Sequence, residues 1–470
     1  MIKPRRRWQG AKILALAAVL LIASTTALDS SAGGAEAPSL SPQTPVLSAR
    51  RLPSVMFGAV ADQKFVLAID SYLGKAAGTS CAVIEENGRT IYARNPADAL
   101  APASTIKILT ATAAIDVLGG DTRLRTTVVS SSTPESGIVN GDVFVVGGGD
   151  PLLVTSGYRQ SLEDPDQLTT DFATLADAVV SAGVREIRGD LLGDDSKFDR
   201  TRWLPAWPTR YQIGGVVGPL SALMVNDGQS GFTEQPERSN PDRRAGDPPA
   251  LAAATLKTLL EQRGVRVTGA SGVGVAPSGS HEVAGIDSAT VSEIVGEMIT
   301  DSDNTTAELL ARAVGLESSG RATTAAGIEG IRGALEVLEL PLDGLIIADG
   351  SGLDPANRVT CQLLIAALRR LPADSPIVTH LAVAGRTGTL RKRLLNTLAA
   401  GKVRAKTGTL NNVNALVGFA ESKSGSRIAF SMIENGTDPR GTGVTDGFAE
   451  RMVTFGDGPQ LPSLAPLPAR

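Results

Sequence analysis

The chain has 470 residues, 42% of them hydrophobic, with a net charge of −4 at pH 7. That length suggests more than one domain, the hydrophobic content allows a large core, and the composition excludes a chain disordered throughout. The near-neutral balance gives no general reason to expect nucleic acid as a partner.

Lys3, Arg5, Arg6, Arg7 and Lys12 precede an unbroken apolar run from Ile13 to Ala23. A positive segment followed by an apolar run of that length reads as an export signal over residues 1–28, cleaved rather than kept as an anchor. No cysteine follows it, so a lipid anchor is not expected. The mature protein is expected outside the cytoplasm, and peripheral association with membrane or cell wall stays open. Residues 29–58, rich in Ala, Ser, Pro and Gly, read as a linker.

A helix is expected from Asp62 to Leu73, then a hairpin of Cys81–Ile84 and Thr90–Ala93 around Asn87-Gly88. A helix carrying Ser104, Ile106, Leu109, Ala113 and Leu118 follows and stops at Gly119-Gly120. From there to about residue 285 the texture changes to short strand-like runs between glycine turns. They include 126–129, 143–146 and 187–192, with helices at 168–182 and 249–264 and a polar break at 240–249. Residues 122–285 therefore read as one or two inserted α/β modules, and their glycines and aspartates as turns. Helices return at 291–299, 305–314, 325–338 and 360–371. Strands follow at 401–409, 415–420 and 427–433, then a helix at 447–455 and a Pro-rich tail at 457–470.

The chain has two cysteines, Cys81 and Cys361, and two histidines, His281 and His380. Nothing in the sequence brings the cysteines together, so free buried thiols are the expectation and a disulfide the alternative. His281 reads as a loop residue, and both histidines as incidental. No metal-ligand cluster and no cofactor motif is present. The Gly-x-Ser-x-Gly elbow of one large class of Ser-His-Asp hydrolases is also missing.

Three short motifs occur in order: Ser104-Thr105-Ile106-Lys107 at a helix start, Ser302-Asp303-Asn304 in a turn between helices, and Lys406-Thr407-Gly408-Thr409 on a strand. On a helix, residues three apart are surface neighbours, so Ser104 and Lys107 face one side as nucleophile and base without a histidine. Each motif alone is weak; their order and setting carry the reading. Ser302 is placed to relay a proton to a leaving amine, and Asn304 to hold Lys107 and a substrate amide. Lys406 and Thr407 would bind a carboxylate, and Gly408 would leave the strand bare for a peptide. The backbone N–H groups of Ser104 and Thr409 would form an oxyanion hole. Burial and the charge of Lys406 would lower the Lys107 pKa. Arg386-Thr387-Gly388-Thr389 mimics the third motif, but Arg391, Lys392 and Arg393 follow it instead of an alternating strand. That basic run reads as a solvated face.

With Gly147-Gly148-Gly149-Asp150-Pro151, Gly193–Asp199, Asp349-Gly350-Ser351-Gly352-Leu353 and Gly388-Thr389-Leu390, the chain resembles the D-alanyl-D-alanine carboxypeptidase/endopeptidase family, the low-molecular-mass class C penicillin-binding proteins. The resemblance runs over roughly residues 60–455. The 198 residues from Ser104 to Ser302 suit the family's inserted domains and are too many for a simple β-lactamase. It implies an α+β fold, a penicillin-binding-protein/β-lactamase-like transpeptidase domain with an antiparallel sheet flanked by helices and a helical lobe. That domain would comprise residues 59–121 and 286–456. The resemblance also implies acylation of Ser104 by the D-Ala-D-Ala ends of peptidoglycan stem peptides and by β-lactam antibiotics, with no cofactor. Two alternatives stay open. One is a β-lactamase, for which Glu336 and Glu339 would be the water-activating candidates; the other is a non-catalytic cell-wall-binding scaffold.

Overall fold

The computed structural model describes residues 53–76, 78–230, 246–423, 425–441 and 443–456. The expected export signal, most of the linker, part of the 240–249 break and the tail lie outside the described residues. The first stretch holds α1 (Pro53–Leu73), β1 (Gly78–Glu86), β2 (Arg89–Arg94), a 3₁₀ turn (Ala103–Ile106) and α2 (Lys107–Leu118). The middle stretch holds β3 (Arg123–Ser130), β4 (Ile138–Val139), β5 (Val143–Val146), β6 (Leu153–Val154), α3 (Ser156–Arg159), β7 (Thr170–Asp171) and α4 (Ala173–Ser181). It continues with β8 (Glu186–Ile187), β9 (Leu191–Asp194), α5 (Thr209–Ile213), α6 (Pro248–Gln262), β10 (Arg266–Val267), β11 (Ser271–Val273) and β12 (His281–Thr290). The last stretch holds α7 (Val291–Asp301), α8 (Asn304–Ser319), α9 (Thr324–Val337), α10 (Cys361–Arg370), α11 (Pro376–Thr379) and β13 (Ala382–Val383). It closes with β14 (Val403–Leu410), β15 (Val413–Glu421), β16 (Arg427–Gly436) and α12 (Val444–Val453).

Six strands form an antiparallel sheet in the order β13-β14-β15-β16-β1-β2. Strands alternate their side chains between faces, so a sheet buried on both sides needs two cores. One core lies against α2, α7, α8, α9 and α10 and holds Ile108, Leu109, Ile294, Leu310, Leu364 and Val417. The other lies against α1 and α12 and holds Ile69, Leu73, Phe430 and Phe448. The middle stretch builds its own five-stranded sheet, β11-β9-β5-β3-β12, and its own core around Val145, Leu175 and Leu256. A fourth cluster joins Phe198, Trp207, Val217 and Leu220 of the middle stretch to Leu309 and Ala313 on α8 and to Leu353.

Local chemistry explains the boundaries that matter. Asn87 and Gly88 both take positive φ, 50° and 81°, which the β1–β2 turn requires. Gly119 at φ 82° ends α2. Thr290 and Glu293 form a reciprocal capping box that starts α7, and Asp303 caps α8 by accepting the Thr306 N–H.

Four expectations need correction. Helix α1 begins at Pro53, inside the segment read as linker to residue 58. His281 opens the ten-residue strand β12, which pairs with β3. Its glycine- and serine-rich approach hid the strand from a pattern reading. The run 187–192 is two strands, β8 and β9, in different sheets. The cysteines are not free: Cys81 and Cys361 form a disulfide with a Cα–Cα distance of 5.9 Å. They are 280 residues apart in sequence, but α10 packs on the sheet beside β1, and sequence spacing carries no trace of that packing.

Candidate active site

Ser104 sits on the 3₁₀ turn rather than in α2 itself, and Lys107 is the first residue of α2. The Lys107 side chain is fully buried. Its Nζ lies 2.9 Å from Ser104 Oγ, 2.7 Å from Asn304 Oδ1 and 2.6 Å from the Ser351 carbonyl oxygen. An amide oxygen and a peptide oxygen can only accept, so they take two N–H hydrogens of the amine. A neutral amine held that way has its one lone pair left for the Ser104 hydroxyl. Burial lowers the Lys107 pKa to about 8, against the upward pull of the carboxylates of Asp349, Asp303 and Glu308. Burial, and after it the charge of Lys107, holds the Lys406 ammonium well below its ordinary range, so the repulsion expected to act on Lys107 falls on Lys406 instead.

Asn304 is the first residue of α8, and its Nδ2 donates to the Val216 carbonyl of the middle stretch, at 2.7 Å. The amide is thereby oriented with its oxygen on Lys107. Two neighbouring bonds fix the same loop: Gly218 N–H donates to Thr305 Oγ1, and that hydroxyl donates to Asp227 Oδ1, each at 2.8 Å. Ser302 takes the left-handed conformation, φ 65° and ψ 34°, at the end of α7. For a residue with a Cβ that conformation costs on the order of 1–3 kcal/mol. Buried Glu297 lies behind this turn, pushed well above the usual carboxylate range by burial and by Asp303, Asp301 and Asp227.

The third motif lies on β14. Lys406 is fully buried and its Nζ donates to the Thr407 carbonyl at 3.1 Å. A Cβ on Gly408 would come within 2.5 Å of the Pro102 oxygen and 3.1 Å of Thr105 N. The bare position therefore admits the turn that carries Ser104 against the strand, a stronger requirement than the one expected from peptide docking. Thr409 follows on the same strand and is exposed. Thr407 Oγ1 donates to Thr389 Oγ1 at 2.9 Å. The Arg386–Thr389 mimic is thus part of the site's wall, with Gly388 at φ 51° pressed against the Thr300 carbonyl. The basic run behind it is more engaged than a solvated face: Arg391 pairs with Asp164, Lys392 with Glu163 at 3.5 Å, and Arg393 with Asp446.

Several contributors escaped the sequence reading. Gly352 at φ 88° has no room for a Cβ, which would fall 2.1 Å from the Ala103 oxygen; Ala103 itself has φ 46°. Asp349 holds that loop by accepting the Gly352 and Asp354 N–H groups, and it accepts Trp207 Nε1–H at 2.8 Å. Buried Glu308 accepts the Ser351 N–H at 2.8 Å, and burial, reinforced by Asp349, raises its pKa to about 8. Asn435 of β16 exchanges two hydrogen bonds with the backbone of Ala101. The 349–353 motif is visible in sequence, but its part in placing Ser104 and Lys107 is not. Glu336 is exposed, and Glu339 is exposed and pairs with Arg370; no contact joins either to the Ser104 group.

The profile of the D-Ala-D-Ala carboxypeptidase 3 (S13) family matches residues 66–243 and 230–454. The chain belongs to this family. A D-alanyl-D-alanine carboxypeptidase of Actinomadura is 30% identical over 442 residues, covering 78% of this chain and 79% of that protein. A carboxypeptidase of Mycobacterium tuberculosis is 30% identical over 439 residues, covering 89% and 90%. Among solved structures, penicillin binding protein 4 of Haemophilus influenzae superposes with a TM-score of 0.69 at 21% identity, over 82% of this chain and 97% of that one. The same protein complexed with a β-lactam gives 0.62. The α+β penicillin-binding-protein fold and a serine D-Ala-D-Ala carboxypeptidase activity follow from these likenesses.

Proposed function

We propose that Ser104 is the acylating nucleophile of a serine DD-peptidase acting on the D-Ala-D-Ala ends of peptidoglycan stem peptides, and that β-lactams acylate the same oxygen. One observation carries the assignment: Lys107, fully buried, with its amine 2.9 Å from Ser104 Oγ and its two other contacts both acceptors. Neutral Lys107 takes the Ser104 proton as Oγ attacks the penultimate D-Ala carbonyl carbon. The oxyanion is held by the backbone N–H groups of Ser104 and Thr409. Collapse breaks the peptide bond; the proton on Lys107 passes through Ser302 to the leaving D-Ala amine, and Lys406 with Thr407 binds its carboxylate. Water then attacks the acyl-enzyme and gives a proton to Lys107; as the acyl–oxygen bond breaks, Lys107 returns that proton to Ser104 Oγ, freeing the shortened peptide and the enzyme.

Residues 59–121 and 286–456 are the catalytic domain in this reading, and residues 122–285 are insertions. The protein works outside the cytoplasm, a placement supported by the charged and apolar N-terminus and by a disulfide suited to an oxidising compartment. Cleavage of D-Ala-diamino acid cross-links is a second activity of the same acylation chemistry, read out by mass spectrometry of a muropeptide digest. The primary test is a fluorescent penicillin. Wild type is labelled covalently and Ser104→Ala is not, and Lys107→Ala slows labelling by about 10²–10⁴-fold. Equal labelling of Ser104→Ala would sink the proposal.

A further inference from the structure

A second cavity, of about 580 Å³, opens on the sheet away from the three motifs, and none of their residues lines it. Lys402, Arg404 and Arg427 line it, with Glu421 as the one acid. Arg386 joins them, because its guanidinium lies against Gly401, another lining residue: a Cβ there would meet Arg386 Nη2 at 2.5 Å. Among the described residues, none of the four cations has a carboxylate within ion-pair distance. On a chain of net charge −4, four unpaired cations around one cavity are a local excess that repels itself and attracts anions.

The cations are also pre-set. Arg427 lies opposite Glu421 in the β15–β16 register, yet its guanidinium stacks over the Phe419 ring, 3.7 Å from the centroid. Stacking occupies the guanidinium face and leaves its N–H edge for a ligand. Phe419 is in turn the β15 partner of Arg404, so the two arginines lie on the same face of the sheet around one ring. Guanidinium forks bind phosphate oxygens in pairs, and several forks with an ammonium suit a tetrahedral anion better than a planar one.

We propose that this cavity binds phosphate groups of an anionic polymer, separately from the Ser104 site. The inference stands whether or not Ser104 is a nucleophile. The test titrates inorganic pyrophosphate, linear polyphosphate and polyglutamate into the full chain by calorimetry at roughly 50 mM salt, where screening is weak. Polyphosphate and pyrophosphate bind saturably to wild type and weaken in high salt. Lys402→Gln/Arg404→Gln weakens both by about tenfold or more, with an unchanged thermal melting midpoint as the check of folding. Arg427→Lys, which keeps the charge and loses the stacked fork, falls between. Absence of saturable binding, equal binding to the variants, or polyglutamate binding as tightly as polyphosphate would overturn the assignment.

Discussion

In the proposed mechanism the chemistry of Ser104 depends on how one amine is solvated. In water a lysine is charged up to its ordinary pKa near 10.4 and useless as a base. Here burial brings it to about 8, and two carbonyl acceptors fix which way its lone pair points. The sign of the pH dependence follows. Protonated Lys107 cannot accept the Ser104 proton, so the rate of penicillin acylation should rise with pH, reaching half its plateau near pH 8. Stopped-flow acylation from pH 6 to 9.5 checks this, and a rate that falls across that window contradicts the base assignment. Stability runs with the same sign for this residue. The unfolded lysine binds its proton more tightly than the folded one, so the Lys107 contribution improves as pH rises from about 8 towards 10.5.

At the scale of elements, the site is an abutment of three backbones: the Ala103–Ile106 turn, the β14 strand and the 349–353 loop. Glycines at 408 and 352 set how closely they meet. Gly352→Ala should therefore displace the Ala103–Ser104 peptide and lower penicillin acylation by about 10²-fold, the effect of roughly 1 Å misplacement. The kcat against KM split on a D-Ala-D-Ala peptide, with thermal melting as control, separates displacement from simple unfolding. Much of this level was readable beforehand. The hairpin, α2, the closing strands β14 to β16 and the order of the motifs follow from period, glycine and capping patterns. Unreadable were contacts made by backbone, such as Val216 to Asn304, since a carbonyl leaves no mark on composition. Equally hidden was the pairing of Arg391 and Lys392 with Asp164 and Glu163, because partners over 200 residues apart look like solvated charge one chain segment at a time.

Across the whole molecule, the disulfide and the middle stretch hold together segments of chain far apart in sequence. Cys81–Cys361 ties the β1 strand to the start of α10 across 280 residues. Cys81→Ala/Cys361→Ala should lose about 2–5 kcal/mol, seen as a lower denaturant midpoint, while the folded variant still reacts with penicillin. An unchanged midpoint would show the bridge to be dispensable. The middle stretch reaches the Ser104 group through Trp207 to Asp349 and Val216 to Asn304, and so buttresses it.

The strand order has a consequence in time. β1 is made early but lies between β2 and β16, so the sheet stays open until residue 436 has been synthesised. Until α8 and the 349–353 loop have joined α2, Lys107 is an ordinary solvated amine beside an ordinary serine. A chain still lacking its C-terminal third therefore carries Ser104 as an ordinary hydroxyl. In the proposed mechanism the hydroxyl becomes a nucleophile only where the last third of the protein can fold upon the first.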